Sequence, residues 1–255
     1  MNKELNENEL NNIRFFSQSL GTLFQQIGIY SIIQIIVGII IAVGSMATIA
    51  STITYPSPSE ILNTFESTVW FILIASLILE VISYFFIIKI IKLLKDAEKQ
   101  GIRYQDNYHK SALFFMAGII LGVIFLVMAI IIATWILGLI REIINDPSFV
   151  IENLNQIPST DIISAFVEAG RISLSIAGFY YLKKNYKQLY VYIEHGERII
   201  NGFDFLLAGY IILILSNFIG LIVAFANLLG FVCLILIIVG YFKTYDRLTT
   251  MRWKT

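Results

Sequence analysis

The chain offers only two histidines and one cysteine in 255 residues, and only 14% of its residues are charged. With Cys233 alone, an intramolecular disulfide is excluded, and the redox compartment is left open. His109 and His195 make no intramembrane pair of the kind that holds a haem. Glu194, His195 and Glu197 are close in sequence, but zinc takes roughly three or four converging ligands. HExxH, paired CxxC, a glycine-rich phosphate loop and GxSxG are all missing. These absences argue against an enzyme and imply no cofactor. The formal net charge is zero, which removes the usual reason to expect nucleic-acid binding. Residues 1–20 are polar and acidic (Glu4, Glu7, Glu9) and lack the basic start and early apolar core of a cleavable signal peptide. The first apolar helix is therefore expected to stay in the mature protein.

What the chain does have is apolar length: 57% of its residues are hydrophobic. Three runs, 15–59, 111–140 and 205–242, contain no charged side chain. Each exceeds the roughly 20 residues needed to cross a bilayer. The fold class this predicts is an all-α polytopic membrane protein, a single integral membrane domain of six spans. They are expected at 27–50, 67–88, 111–140, 162–182, 203–220 and 224–242. The last two divide a run of 38 uncharged residues, too long for one span, by a turn between Asn217 and Asn227 near Gly220. The fourth contains Glu168 and Arg171 and reads either as a span or as an amphipathic surface helix.

Charge placement supports six. The N-terminal segment, those between spans two and three and between four and five, and the C-terminal end hold 16 of the 18 Lys and Arg residues; Arg141 and Arg171 are the others. Basic residues mark the cytoplasmic side, so both termini are expected there and the spans form three hairpins. The even spans end alike, in Tyr84-Phe85-Phe86, Phe179-Tyr180-Tyr181 and Tyr241-Phe242, each followed by Lys. Either these are ordinary interface anchors or the three hairpins are repeats. The loops between spans are too short to bury a core of their own.

Several residues stand out inside the spans. Gly118 and Gly122 form a GxxxG pair, and Gly28, Ser31, Gly38 and Ala42 lie along one face of span one; small residues let helices approach in lipid. Ser76, Glu80 and Ser83 share a face of span two, as Ser164, Glu168, Arg171, Ser175 and Gly178 do in span four. Glu80 precedes Lys89 by nine residues, about 14 Å, and Arg171 precedes Lys183 by 12, about 18 Å. That common depth predicts a Glu80–Arg171 pair, with Glu168 competing. Such a pair either fixes helix register or meets a partner, or it serves a proton or ion path. Gln34, Asn217 and Asn227 would extend that path, or the two asparagines cap the turn. Lys89, Lys92, Lys95 and Lys99 form a basic stripe that either rests on anionic headgroups or is simply a solvated face. Tyr180, Tyr181, Tyr186, Tyr190 and Tyr192 suit a membrane interface.

The Gly178-Phe179-Tyr180 exit of span four, with the basic and tyrosine residues after it, and the glycine-punctuated hairpin from Gly209 to Gly240 resemble uncharacterised multi-pass membrane proteins of archaea. The resemblance covers roughly residues 177–248. It implies a six-span all-helical body and no activity or catalytic residue.

Two functions follow as expectations. One is a structural or accessory protein of the cell membrane, packed in a larger assembly or against a second copy, with lipid and another membrane protein as partners. The other is a small transporter or channel using Glu80 and Arg171.

Overall fold

The computed structural model describes residues 7–53, 58–100, 105–145, 157–189, 193–194, 197–220 and 226–250. These form six helices: α1 (Glu7–Ile53), α2 (Pro58–Lys99), α3 (Gln105–Asn145), α4 (Ile157–Leu189), α5 (Glu197–Gly220) and α6 (Ala226–Thr249). All but α4 are long and apolar enough to cross a membrane. In α4, 33 residues long, the charges at Glu168 and Arg171 interrupt the apolar run.

The helices run well past the expected spans. α1 has 47 residues, a length of about 70 Å against a hydrocarbon core of about 30 Å. It begins 20 residues before the expected first span, in a segment that reads as polar. α2 continues through the lysine stripe to Lys99, and α4 continues to Leu189. Two prolines stand at helix starts, Pro58 first in α2 and Pro158 second in α4. Proline fits there because its missing N–H would have no partner within the helix. The expected turn of the last hairpin falls between α5 and α6, with residues 221–225 outside those described.

By packing, the chain divides into two compact units: Met1–Ile32, Ser83–Leu121 and Ala169–Thr255 form the first, and Ile33–Ile82 with Gly122–Glu168 the second.

The first unit contains nearly all of the buried core. Its hub is the start of α1. Ile13, Phe16, Leu20, Leu23, Ile27 and Tyr30 are buried at alternating spacings of three and four, the seam of a helix enclosed by others. All five other helices touch this segment. Tyr30 meets Phe86 of α2 and Phe16 meets Tyr108 of α3. Phe24 packs edge-on against Phe179 of α4, Phe203 of α5 and Tyr241 of α6, with centroids 5.6–6.0 Å apart. The segments between the expected spans join this core as helical extensions, pooling their apolar faces with the spans rather than burying a core of their own.

α5 and α6 pack antiparallel at glycines. A Cβ on Gly202 would stand 2.9 Å from the Thr244 backbone nitrogen, one on Gly209 3.0 Å from that of Ile237, and one on Gly240 2.7 Å from that of Leu206. Only glycine permits backbones this close.

The second unit is different. Among its described residues only Thr68, Gly122 and Leu137 are buried. Ile36, Ile40, Met46, Phe71, Ile131 and Phe166 are 52–71% exposed. Water drives burial of apolar side chains, about 1.5–3 kcal/mol for a full Leu or Phe, whereas lipid tails solvate them as well as leucine does. A tight core among helix ends rich in charge, and bare apolar helices elsewhere, is the pattern of a chain partly in water and partly in lipid.

Candidate functional site

The first unit's charged end contains a layer of buried polar side chains. Ser17 of α1 and Tyr186 of α4 share a hydrogen bond between hydroxyls at 3.0 Å. Burial pushes the Tyr186 phenol well above the ordinary tyrosine range, and the weaker effect of the Ser17 hydrogen bond opposes it. The phenol therefore stays neutral. Asn107 Nδ2 donates to Gln188 Oε1 at 2.8 Å, and Ser111 Oγ donates to the Gly178 carbonyl at 2.9 Å. Both bonds tie α3 to α4. Asn185 is fully buried, with the Tyr108 hydroxyl as its polar neighbour.

None of these polar residues except Tyr186 was expected as more than background. A readable signal existed: in α4, Phe179, Leu182, Tyr186 and Leu189 repeat at three and four, and Asn185 lies within that face. The tyrosines of this region were expected at an interface. Tyr186 is instead in the core, while Tyr180 is 53% exposed; Tyr190 and Tyr192 lie outside the described residues. The aromatic exits behave likewise. Tyr84, Phe179 and Tyr241 are buried, whereas Phe85 is exposed with the Lys89 ammonium 4.4 Å from its ring centroid.

The charged rim carries four exposed lysines on α2, Lys89, Lys92, Lys95 and Lys99. Ile90, Ile91, Leu94 and Ala97 are buried on the other face, so amphipathicity explains this helical extension. Ion pairs along the rim join His109 to Glu98 at 3.2 Å, Arg247 to Asp246 at 3.4 Å, and Lys183 to Asp204. Among the described residues no group of three or more His, Cys, Asp and Glu could hold a metal ion, and His195 lies outside them.

No family model, curated protein or solved structure matches this chain. The reading of its site therefore rests on its own residues.

Glu80 and Glu168 belong to the second unit and Arg171 to the first. All three are half-buried, and each takes part in a polar or electrostatic contact. Ser175 Oγ donates to the Arg171 carbonyl at 3.3 Å, which bonds it within its own helix. Ser83, Gln34 and Asn217 are half-buried, and Ser76 is exposed. The side chains of Ser164 and Asn227 lie outside those described. At Gly118 a Cβ would make ordinary contact with Leu174 at 3.7 Å, so α3 and α4 approach there without needing glycine. Gly122 is buried in the second unit. The expected face of span one divides: Gly28 packs on the Phe242 ring, with a Cβ 3.1 Å from it, whereas a Cβ on Gly38 would meet nothing within 4 Å. Ala42 is exposed as well.

Proposed function

We propose that this protein is a multi-pass protein of the cell membrane, with both termini cytoplasmic, serving as a structural or accessory subunit. Its second unit would pack against helices of another membrane protein or of a second copy. The observation that supports this reading is the small-residue face of α1: Gly38 and Ala42 are exposed, and a Cβ at Gly38 would meet nothing within 4 Å among the described residues. Small residues on a membrane helix let a second backbone approach closely. The apolar exposure around them supplies the rest of a helix-packing surface. Placing the termini in the cytoplasm rests on the charge asymmetry of the sequence.

The half-burial of Glu80, Glu168 and Arg171 within apolar helices favours a second reading, a proton- or ion-conducting role. Ion flux into proteoliposomes, wild type against Glu80→Gln, separates the two. The accessory reading predicts no flux in either protein. Flux in the wild type that the substitution abolishes, with the fold intact, would make it a transporter.

A further inference from the structure

The register of α3 against α4 brings two lysines to one ring. Asn107 is bonded to Gln188, Ser111 to the Gly178 carbonyl, and Phe114 stacks on Tyr181 at 5.5 Å with planes 10° apart. Gly178 allows this approach, since a Cβ there would stand 2.8 Å from the Phe115 ring. Between these ties lie Lys110 of α3 and Lys184 of α4. Their ammonium groups are 5.7 and 6.0 Å from the Tyr181 ring centroid.

Both lysines are exposed. The two ammonium groups are therefore within about 12 Å of each other. Flexible four-carbon stems can close such a gap around an anion. Three carboxylates of this unit are engaged elsewhere: Glu98 with His109, Asp204 with Lys183, and Asp246 with Arg247. Among the described residues no carboxylate pairs with Lys110 or Lys184, not even Asp106 one turn before Lys110. Exposed like charges at such a separation repel only weakly in water, so an anion arriving between them meets two attractive groups at little prior cost.

Their level in the chain indicates which anion. Lys110 immediately precedes the uncharged run 111–140, and the Phe114–Tyr181 stack with the Ser111–Gly178 bond holds Lys184 at the same level. In a bilayer these positions are at headgroup depth, where anionic lipids attract basic residues. We infer that Lys110 and Lys184 hold the phosphate of an anionic phospholipid headgroup beside the Tyr181 ring. The inference rests on the chain spanning a bilayer and is independent of the assembly role.

The test uses full-length protein in nanodiscs of phosphatidylcholine with added phosphatidylglycerol, counting retained phosphatidylglycerol by native mass spectrometry. A hydrogen bond to a charged group contributes about 1.5–3 kcal/mol, at least about tenfold, so Lys110→Gln with Lys184→Gln is expected to weaken retention about 100-fold. Lys110→Arg with Lys184→Arg should retain the lipid, as should Lys92→Gln with Lys95→Gln on the exposed stripe. Full retention by the first double variant overturns the site. Equal loss from the Lys92 and Lys95 variant overturns it too, since diffuse surface charge would then suffice. Displacement of the lipid by millimolar inorganic phosphate would overturn the assignment to a lipid headgroup.

Discussion

Gly202 and Thr244 approach so closely that a methyl group on the glycine would stand 2.5 Å from the threonine hydroxyl oxygen and 2.9 Å from its backbone nitrogen. The hydroxyl is itself committed, donating to the Gly240 carbonyl at 2.7 Å. The α5–α6 hairpin is thus assembled by backbone proximity at Gly202, Gly209 and Gly240.

Gly202→Ala should therefore destabilise the protein. Alanine gains about 1 kcal/mol of helix propensity, but overpacking against backbone costs about 1–3 kcal/mol, and here a backbone atom stands in the way. A lower thermal midpoint in detergent is expected for Gly202→Ala and for Gly240→Ala. At Gly38, where a Cβ meets nothing, alanine should leave the midpoint unchanged or raise it. A neutral Gly202→Ala would mean that the hairpin backbones are further apart than described.

Tyr186 should make stability fall in alkali. Its folded value is raised by burial above the ordinary 10.0. A group raised on folding contributes stability that is complete below the unfolded value and is lost as pH rises through the interval up to the folded one. The thermal midpoint of the wild type should drop beyond about pH 10 more steeply than that of Tyr186→Phe. Near neutrality the substitution should cost about 1 kcal/mol for the Ser17 hydrogen bond. Parallel pH profiles for the two proteins would show that Tyr186 is not buried as a neutral phenol.

The apolar runs were legible because a bilayer demands about 20 residues without charge, and few soluble helices meet that demand. The turn of the last hairpin was legible for the same reason: 38 uncharged residues are too many for one span. The hub of the fold was harder to see, because Ile13, Phe16, Leu20 and Leu23 stand among Arg14, Gln18 and Thr22. The uncharged run 15–59 includes Phe16, Leu20 and Leu23, but it is longer than one span needs, and hydropathy alone places that span from Ile27 onward. Their spacing of three and four was nonetheless present, and reading period before charge would have found the helix. Which glycines lie at close contacts was not legible. Gly118 matches the GxxxG pattern yet makes only ordinary contact, whereas a Cβ on Gly202, Gly209 or Gly240 would stand within 3.0 Å of a facing backbone atom. The rotation of one helix against another decides that, and no single helix encodes it. The Glu80–Arg171 expectation rests on a polar stripe along each helix and on a common depth, which constrain face and height but not the direction in which one helix turns toward another.

The central claim is that the exposed Gly38–Ala42 face joins this protein to another membrane helix. The direct measurement is cross-linking in native membranes, wild type against Gly38→Leu, with the thermal midpoint of each purified protein recorded alongside. The account predicts a cross-linked adduct with a second copy or another membrane protein. In the variant that adduct should weaken at least about fivefold, the lower end of what overpacking a close contact costs, while the midpoint is unchanged. The same adduct in both proteins, or none in the wild type, would contradict it.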